Sequence, residues 1–421
     1  MSVFKITPTT QQYDWGKTGK GSKVAEFAAA SKVPGFSIDE HAPYAELWMG
    51  THPKSPSRVA SSHQDLAEHL AAHPELIGQE VIDKFDAGSG NLPFLFKVLS
   101  IEKALSIQSH PDKETAVALH AAQPDIYKDP NHKPEMALAI TPFQALCGFR
   151  PLPEIASYLN SVPELRALLP RSIIDAFLAI ANSPTPTGPT EKAALRDLFA
   201  ALMTADEGDI MHRVTLLVAR YSAGNTREGE DVDVVKLVLR LDSQFPGDVG
   251  IFCPFMLNYV FLHPGDAIFL GAGEPHAYIS GECIECMANS DNVIRAGLTP
   301  KLRDIPNLVS GLTYTSAKPT AHVVDARPFN SPVSTLYDPP IPEFSVVQVR
   351  LEHGAKEQHA PLRGPSIAIV TQGEAQVKWG DSGTLDVGLG DVFFVGANTP
   401  ITFANTPDSE LTVYRAFVEV N

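Results

Sequence analysis

Cysteine is scarce: four occur in 421 residues, too few for a disulfide scaffold. Basic residues are short as well. Thirty-three Lys and Arg face 49 Asp and Glu, a formal charge of −16. A general nucleic-acid binder needs a basic face to displace counterions, so that class is excluded. Adhesion to an anionic membrane is excluded on the same ground. An anionic substrate must therefore be drawn by a local basic cluster, against the field of the whole chain. Long apolar runs are missing. The most apolar stretch, 251–262, has 12 residues and is broken by Pro254 and Asn258, too short to cross a bilayer. The opening MSVFKITPTTQQYDWG has no basic run followed by an apolar core, which reads against a signal peptide. The expectation is a cytoplasmic protein with no membrane or nucleic-acid partner.

An apolar fraction of 44% and a charged fraction of 19% are those of a globular chain. Its length exceeds one ordinary core and predicts two or three domains. Proline and glycine are abundant, at 35 and 29, which suits short strands joined by turns. Residues 94–107 (FLFKVLSIEKALSI) read as two strands with a turn at Glu102-Lys103. Helical patterns at 64–72 and 113–122 interrupt this region, the second capped by Asp112. From about 152 to 245 the texture changes. Segments such as SIIDAFLAIANS and IMHRVTLLVARYSA place apolar residues three and four apart, between breaks such as SPTPTGPT. From about 247 to the end, alternation and Gly-Asp turns return, the texture of antiparallel jelly rolls. The expected fold is mainly β, with two barrels and an inserted helical domain.

An internal similarity runs at a constant offset of 125. Gly265-Asp266, Ile268-Phe269, Gly271-Ala272 and Pro275 match Gly390-Asp391, Phe393-Phe394, Gly396-Ala397 and Pro400. Chance in two Gly-rich strands is one reading. The other is a duplicated barrel in which one copy carries a metal ligand, since His276 and Tyr278 in the first copy become Ile401 and Phe403 in the second.

In a strand, Ser106, Gln108 and His110 share a face. Such a face is either wet, on an edge strand, or needs partners. Pro134 keeps Lys133 extended in Asn131-His132-Lys133-Pro134-Glu135, which alone is an ordinary polar loop. GAGEPHAY, 271–278, has the shape of the second metal motif of cupin barrels. One strand gives two ligands, a loop a carboxylate and a later strand a His: Gln108, His110, Glu135 and His276. Two imidazoles and two oxygen donors suit a borderline divalent metal. Cys283-x-x-Cys286 is not a zinc or redox motif, because no second pair exists and strand geometry points the two thiols apart. Glu285 shares a strand face with Cys283 and Met287 and can enter a barrel interior.

The segments YDWGK, AELWMGTHP, SIQSHPDK, NHKPEMALA and GEPHAYISGECIECMANSDNVIRAGLTPK occur in this order and resemble the signature segments of type I phosphomannose isomerases. The resemblance runs from end to end. It implies a zinc-bearing cupin domain from 1–150 and 247–320, a helical insert at 151–246 and a C-terminal cupin-like jelly roll at 321–421 without metal ligands. It implies interconversion of mannose 6-phosphate and fructose 6-phosphate through a cis-enediol, feeding GDP-mannose and glycosylation. One Zn²⁺ per chain on Gln108, His110, Glu135 and His276 is expected, in a monomer. Arg295 falls on the active-site arginine, and Lys97, Lys133 and Lys301 on the pocket's basic residues. Glu285 is the first candidate for the proton-transfer base and Lys133 the second. His132 with Asp291 is expected to assist ring opening. Ser106, Lys97 and Lys301 are phosphate candidates, while Tyr278, Trp15 and Glu46 fall where substrate contacts are expected. Glu285 paired with Arg295, or Asp291 in a simple turn, would be purely structural alternatives. An Fe(II) oxygenase and a non-catalytic metal cupin binding a small anion are the rival functions.

Overall fold

A computed structural model of the chain describes residues 1–407 and 409–420. The first barrel is organised on one strand of 13 residues, His276–Ala288. Its first half pairs with Phe143–Phe149, and His276 itself with Gln108 of Ile107–Ser109. From Gly281 onward it pairs with Phe94–Ile101 on one side and Glu135–Ala139 on the other. Gly281 sits at the change of partners with φ +108°, and a Cβ there would lie 2.4 Å from the Pro142 carbonyl oxygen. Glycine alone fits this corner. Glu46–Met49 and Thr9–Gln11 continue the sheet beyond Phe94–Ile101. The strands FLFKVLSI and FQALCGF are nearly unbroken apolar runs because both of their faces are covered.

Six helices, from Leu152–Ser161 to Val232–Gln244, occupy the insert among the described residues. Two begin on Pro163 and Pro189, and the last two are capped by the Asp206 and Asp231 side chains, the starts that proline and aspartate favour. Their apolar stripes do not close on a private core. Leu195, Phe199, Leu217 and Leu241 share one cluster with Ile107, Phe149, Ala277 and Ile294 of the first barrel. Arg240, on the last helix, fastens the two parts. It donates to the Gln144 and Ser280 side chains and to the carbonyls of Glu102 and Ile279, at 3.2–3.3 Å.

The second barrel packs an eight-stranded sheet against a four-stranded one. The N-terminal strand Val3–Thr7, expected with the first barrel, belongs to this eight-stranded sheet. It pairs Val3 with Val395 and Ile6 with Val392. The reason is physical: Val392–Val395 presents an open edge, and Val3, Phe4 and Ile6 are all buried once they cover it. Phe4 and Ile6 also join a cluster that links Phe94 and Ile284 of the first barrel to Ile367 and Tyr414 of the second.

The 125-residue offset is a structural repeat. Asp266 Oδ2 accepts the His263 N–H at 2.8 Å, and Asp391 Oδ2 accepts the Gly388 N–H at 2.8 Å. The strands that follow keep register, with Leu270 opposite Glu135 and Val395 opposite Ser366. One strand later His276 faces Gln108, and Ile401 faces His359. His359, Ser366 and Ile401 thus stand where the first barrel has Gln108, Glu135 and His276. Buried Arg415 reaches two of them, donating to Ser366 Oγ at 2.8 Å and to His359 Nδ1 at 3.1 Å. A guanidinium fills this place in the second barrel.

Candidate active site

Three of the expected metal ligands begin or follow strands at prolines. His110 lies between Ile107–Ser109 and Pro111, Glu135 opens its strand after Pro134, and His276 opens its strand after Pro275. Proline cannot donate to a ladder, so each strand breaks there. His110, Glu135 and His276 are buried, and one donor atom of each lies within 4.8 Å of the others.

The donor set is suited to a metal ion. His110 Nδ1 donates to the Asn292 carbonyl at 2.7 Å and His276 Nδ1 to the Glu274 carbonyl at 2.8 Å. Each Nδ1 therefore carries the proton and each Nε2 presents a lone pair. Both Nε2 atoms and Glu135 Oε2 are buried without a hydrogen-bond partner, which is costly unless a cation binds there. Burial pushes the His110 pKa down to about 4, against the pull of Glu135, so the imidazole is neutral near pH 7. Burial would raise the Glu135 pKa, but Lys133 and the imidazoles outweigh it and hold the carboxyl well below its ordinary value. Gln108, opposite His276 in register, lines a cavity together with Glu135, while His110 and His276 are not in its lining, and Gln108 Oε1 lies 3.5 Å from Ser106 Oγ.

That cavity has a volume of about 290 Å³. Trp15, Glu46, Lys97, Ser106, Gln108, Lys133, Glu135, Tyr278, Glu285, Arg295 and Lys301 line it, so it gathers most of the expected site residues. A larger groove of about 780 Å³ between the barrels, with Lys23, Arg350 and Tyr414 in its wall, contains none of the converging donors.

Inside the cavity the charges are arranged in register. Lys97 stands directly opposite Glu285 across the strands. Its Nζ lies 3.0 Å from Glu285 and 3.6 Å from Glu46, over the Trp48 ring. The Trp48 indole N–H donates to Glu46. Lys133 Nζ lies 3.2 Å from Glu135. Burial raises the Glu285 pKa, and Glu135 and Glu46 add to the effect while Lys97 opposes it. Burial would lower the Lys97 pKa, but Glu285, Glu46 and Glu135 outweigh it and keep the ammonium charged. The Tyr278 hydroxyl, buried beside these carboxylates, is held protonated by burial and by their charge.

The expected alternative, Glu285 paired with Arg295, is not what forms. Among the described residues no carboxylate lies within ion-pair distance of Arg295 or Lys301. Both cations line the cavity uncompensated. His132 and Asp291, expected to act together, are not brought together and are absent from the cavity lining. His132 Nε2 meets Glu343 of the second barrel at 2.5 Å. Asp291 meets Lys54 at 2.8 Å and His52 at 3.5 Å. Burial would raise its pKa, but these two partners depress it.

Sequence reasoning missed Asp14, Lys103 and Phe245, which also line the cavity. Lys103 Nζ lies 4.5 Å from the Phe245 ring centroid and 3.9 Å from Asp14. Phe245 ends the last helix of the insert. Its role depends on how the insert docks, for which no local signal exists. The four cysteines are free and buried.

Family models place this arrangement. The catalytic domain of type I phosphomannose isomerase matches residues 3–152, its helical insertion domain 176–257 and its C-terminal domain 334–382. The chain is 48% identical to the mannose-6-phosphate isomerase of Cryptococcus neoformans, over 99% of both chains. The chain belongs to the type I phosphomannose isomerase family. The Saccharomyces cerevisiae mannose-6-phosphate isomerase is 44% identical over 100% of this chain and 99% of its own. A Salmonella typhimurium mannose 6-phosphate isomerase, solved with fructose 6-phosphate and zinc, superposes over the full length of both chains with a TM-score of 0.82 at 30% identity. The three matched segments fall on strands of the first barrel, on the helical insert and on strands of the second barrel. No helix among the described residues is long and apolar enough to cross a membrane.

Proposed function

We propose that this family member interconverts D-mannose 6-phosphate and D-fructose 6-phosphate with one zinc ion held by Gln108, His110, Glu135 and His276. The observation that carries the reading is the convergence of two imidazole lone pairs and a carboxylate oxygen, all buried and unpartnered among the described residues; that carboxylate, Glu135, lines a cavity with Gln108, Glu285, Arg295 and Lys301. When bound, zinc supplies Lewis-acid polarisation of sugar oxygens.

The remaining steps belong to the side chains. Glu285, with its raised pKa, takes the proton from C2 of the aldose and returns it to C1 of the ketose. Lys97 holds that carboxylate in place across the strand pair. Among the described residues Arg295 has no carboxylate partner, and its charge is available to the enediolate oxygens; its guanidinium stays protonated and is a stabiliser rather than a base. Lys301, also without a carboxylate partner among the described residues, and Ser106 hold the phosphate; the lysine supplies the local basic attraction that a chain of charge −16 needs. Trp15, Glu46 and Tyr278 shape the sugar pocket. Lys133 stands beside Glu135 and is the second candidate for the base. His132 and Asp291 enter the reading only through their ion pairs, since neither lines the cavity. The reading includes a cytoplasmic monomer.

The test is turnover of mannose 6-phosphate before and after chelation, with zinc restored. Loss with chelator and recovery with zinc is expected. No turnover by folded, zinc-loaded protein would overturn the assignment and favour a binding protein. Oxygen consumption would favour the oxygenase.

A further inference from the structure

The loop before Glu135 and the loop after Ala288 are tied by one side chain. Asp129 Oδ1 accepts the Asn131 N–H at 3.0 Å and the Ser290 hydroxyl at 2.8 Å. Its Oδ2 accepts the Asp291 N–H at 2.8 Å. Its carbonyl accepts Asn292 Nδ2 at 2.7 Å, and that same amide reaches the Asn131 carbonyl at 2.9 Å. The knot ends on the Asn292 carbonyl, which receives the His110 Nδ1 proton at 2.7 Å. No other hydrogen bond fixes the tautomer and ring orientation of His110 among the described residues.

We propose that Asp129 is a positioning residue for the metal centre. By holding residues 290–292 against residues 129–131, it sets the Asn292 carbonyl that points His110 Nε2 at the metal. It also anchors the base of the Asn131–Glu135 segment, which delivers Lys133 and Glu135. Among the described residues Asp129 makes no hydrogen bond to any of the four ligands. It acts through one backbone carbonyl and one loop, which is how partners beyond the ligands orient a metal-binding imidazole.

The inference rests on the reading that this site holds zinc, and the experiment separates the two. Zinc affinity is measured by competition with a chelating dye in wild type, Asp129→Asn, Ser290→Ala and Arg220→Ala. Asp129→Asn keeps the shape but presents an amide donor to groups that themselves donate. A loss of affinity of about 10-fold is expected, with a smaller loss in Ser290→Ala, which removes one bond of the knot. Arg220→Ala, remote in the helical insert, is expected to lower stability and leave zinc affinity unchanged, so that general loosening is distinguished from a loss of positioning. The long-range ¹H–¹⁵N spectrum of His110 is expected to show an Nδ1–H tautomer in wild type that is mixed in Asp129→Asn. Wild-type zinc affinity in Asp129→Asn would overturn the proposal. Should that variant not fold, wild-type affinity in Ser290→Ala would overturn it. Failure of wild type itself to bind zinc would instead overturn the metal reading.

Discussion

Glu285 is one of three carboxylates around Lys97, with Glu46 and Glu135. Burial and two negative neighbours push its pKa up, and two lysines, Lys97 and Lys133, pull it down. A base works deprotonated, so activity is expected to fall as pH drops through this raised pKa. The acid limb of kcat/KM should lie above the ordinary glutamate value of about 4.3. Glu285→Gln should lower kcat by about 10²- to 10⁴-fold and abolish exchange of solvent protons into the substrate carbon. Persisting exchange in that variant would move the base to Lys133. The second barrel makes the matching point in reverse. Burial pulls the Arg415 pKa down only to about 9, so it remains charged at pH 7 and stands among residues that replace the ligands.

At the scale of elements, the helical insert is tied internally by Arg220. From the helix Glu207–Ser222 it reaches Glu164 at 2.8 Å and Glu230 at 2.6 Å. The Glu230 side chain is fully enclosed, and that of Glu164 is nearly so. Arg220→Ala would leave two enclosed carboxylates facing each other. The expected cost is about 2–3 kcal/mol, that of lost charge-assisted bonds, read as a lower urea midpoint. Because the insert shares its core with the first barrel, one transition should shift rather than a new one appear. An unchanged midpoint would mean that water replaces the guanidinium without penalty.

For the molecule as a whole, the N-terminal strand matters most. Val3–Thr7 lies between Val392–Val395 and Arg58–Val59, and so joins the ends of the chain. Deleting residues 1–7 removes the buried side chains of Val3, Phe4 and Ile6 and uncovers a sheet edge. At about 1.5–3 kcal/mol for each of the three buried side chains, the loss is about 4.5–9 kcal/mol. Urea unfolding should show it, and light scattering should show self-association through the open edge. Full stability after the deletion would show that the strand is a passive cover.

What the sequence determined by itself was local. Asp112 caps Lys113–Ala122 through its side chain as its position implies, and the period of three and four marks the insert. Strand alternation puts Ser106 and Gln108 on one cavity-facing side. Donor chemistry and the order of the motifs named the ligand set and the family. These signals act over a few residues, where cap, pleat and turn geometry leave few choices. Tertiary structure decided the pairings. Lys97 rather than Arg295 faces Glu285, 188 residues away along the chain. His132 meets Glu343 across a separation of 211, and Phe245 closes a cavity in another domain. Periodicity and capping do not specify which charges meet across such distances. Packing does, because a buried charge settles on the partner that the assembled strands bring within reach.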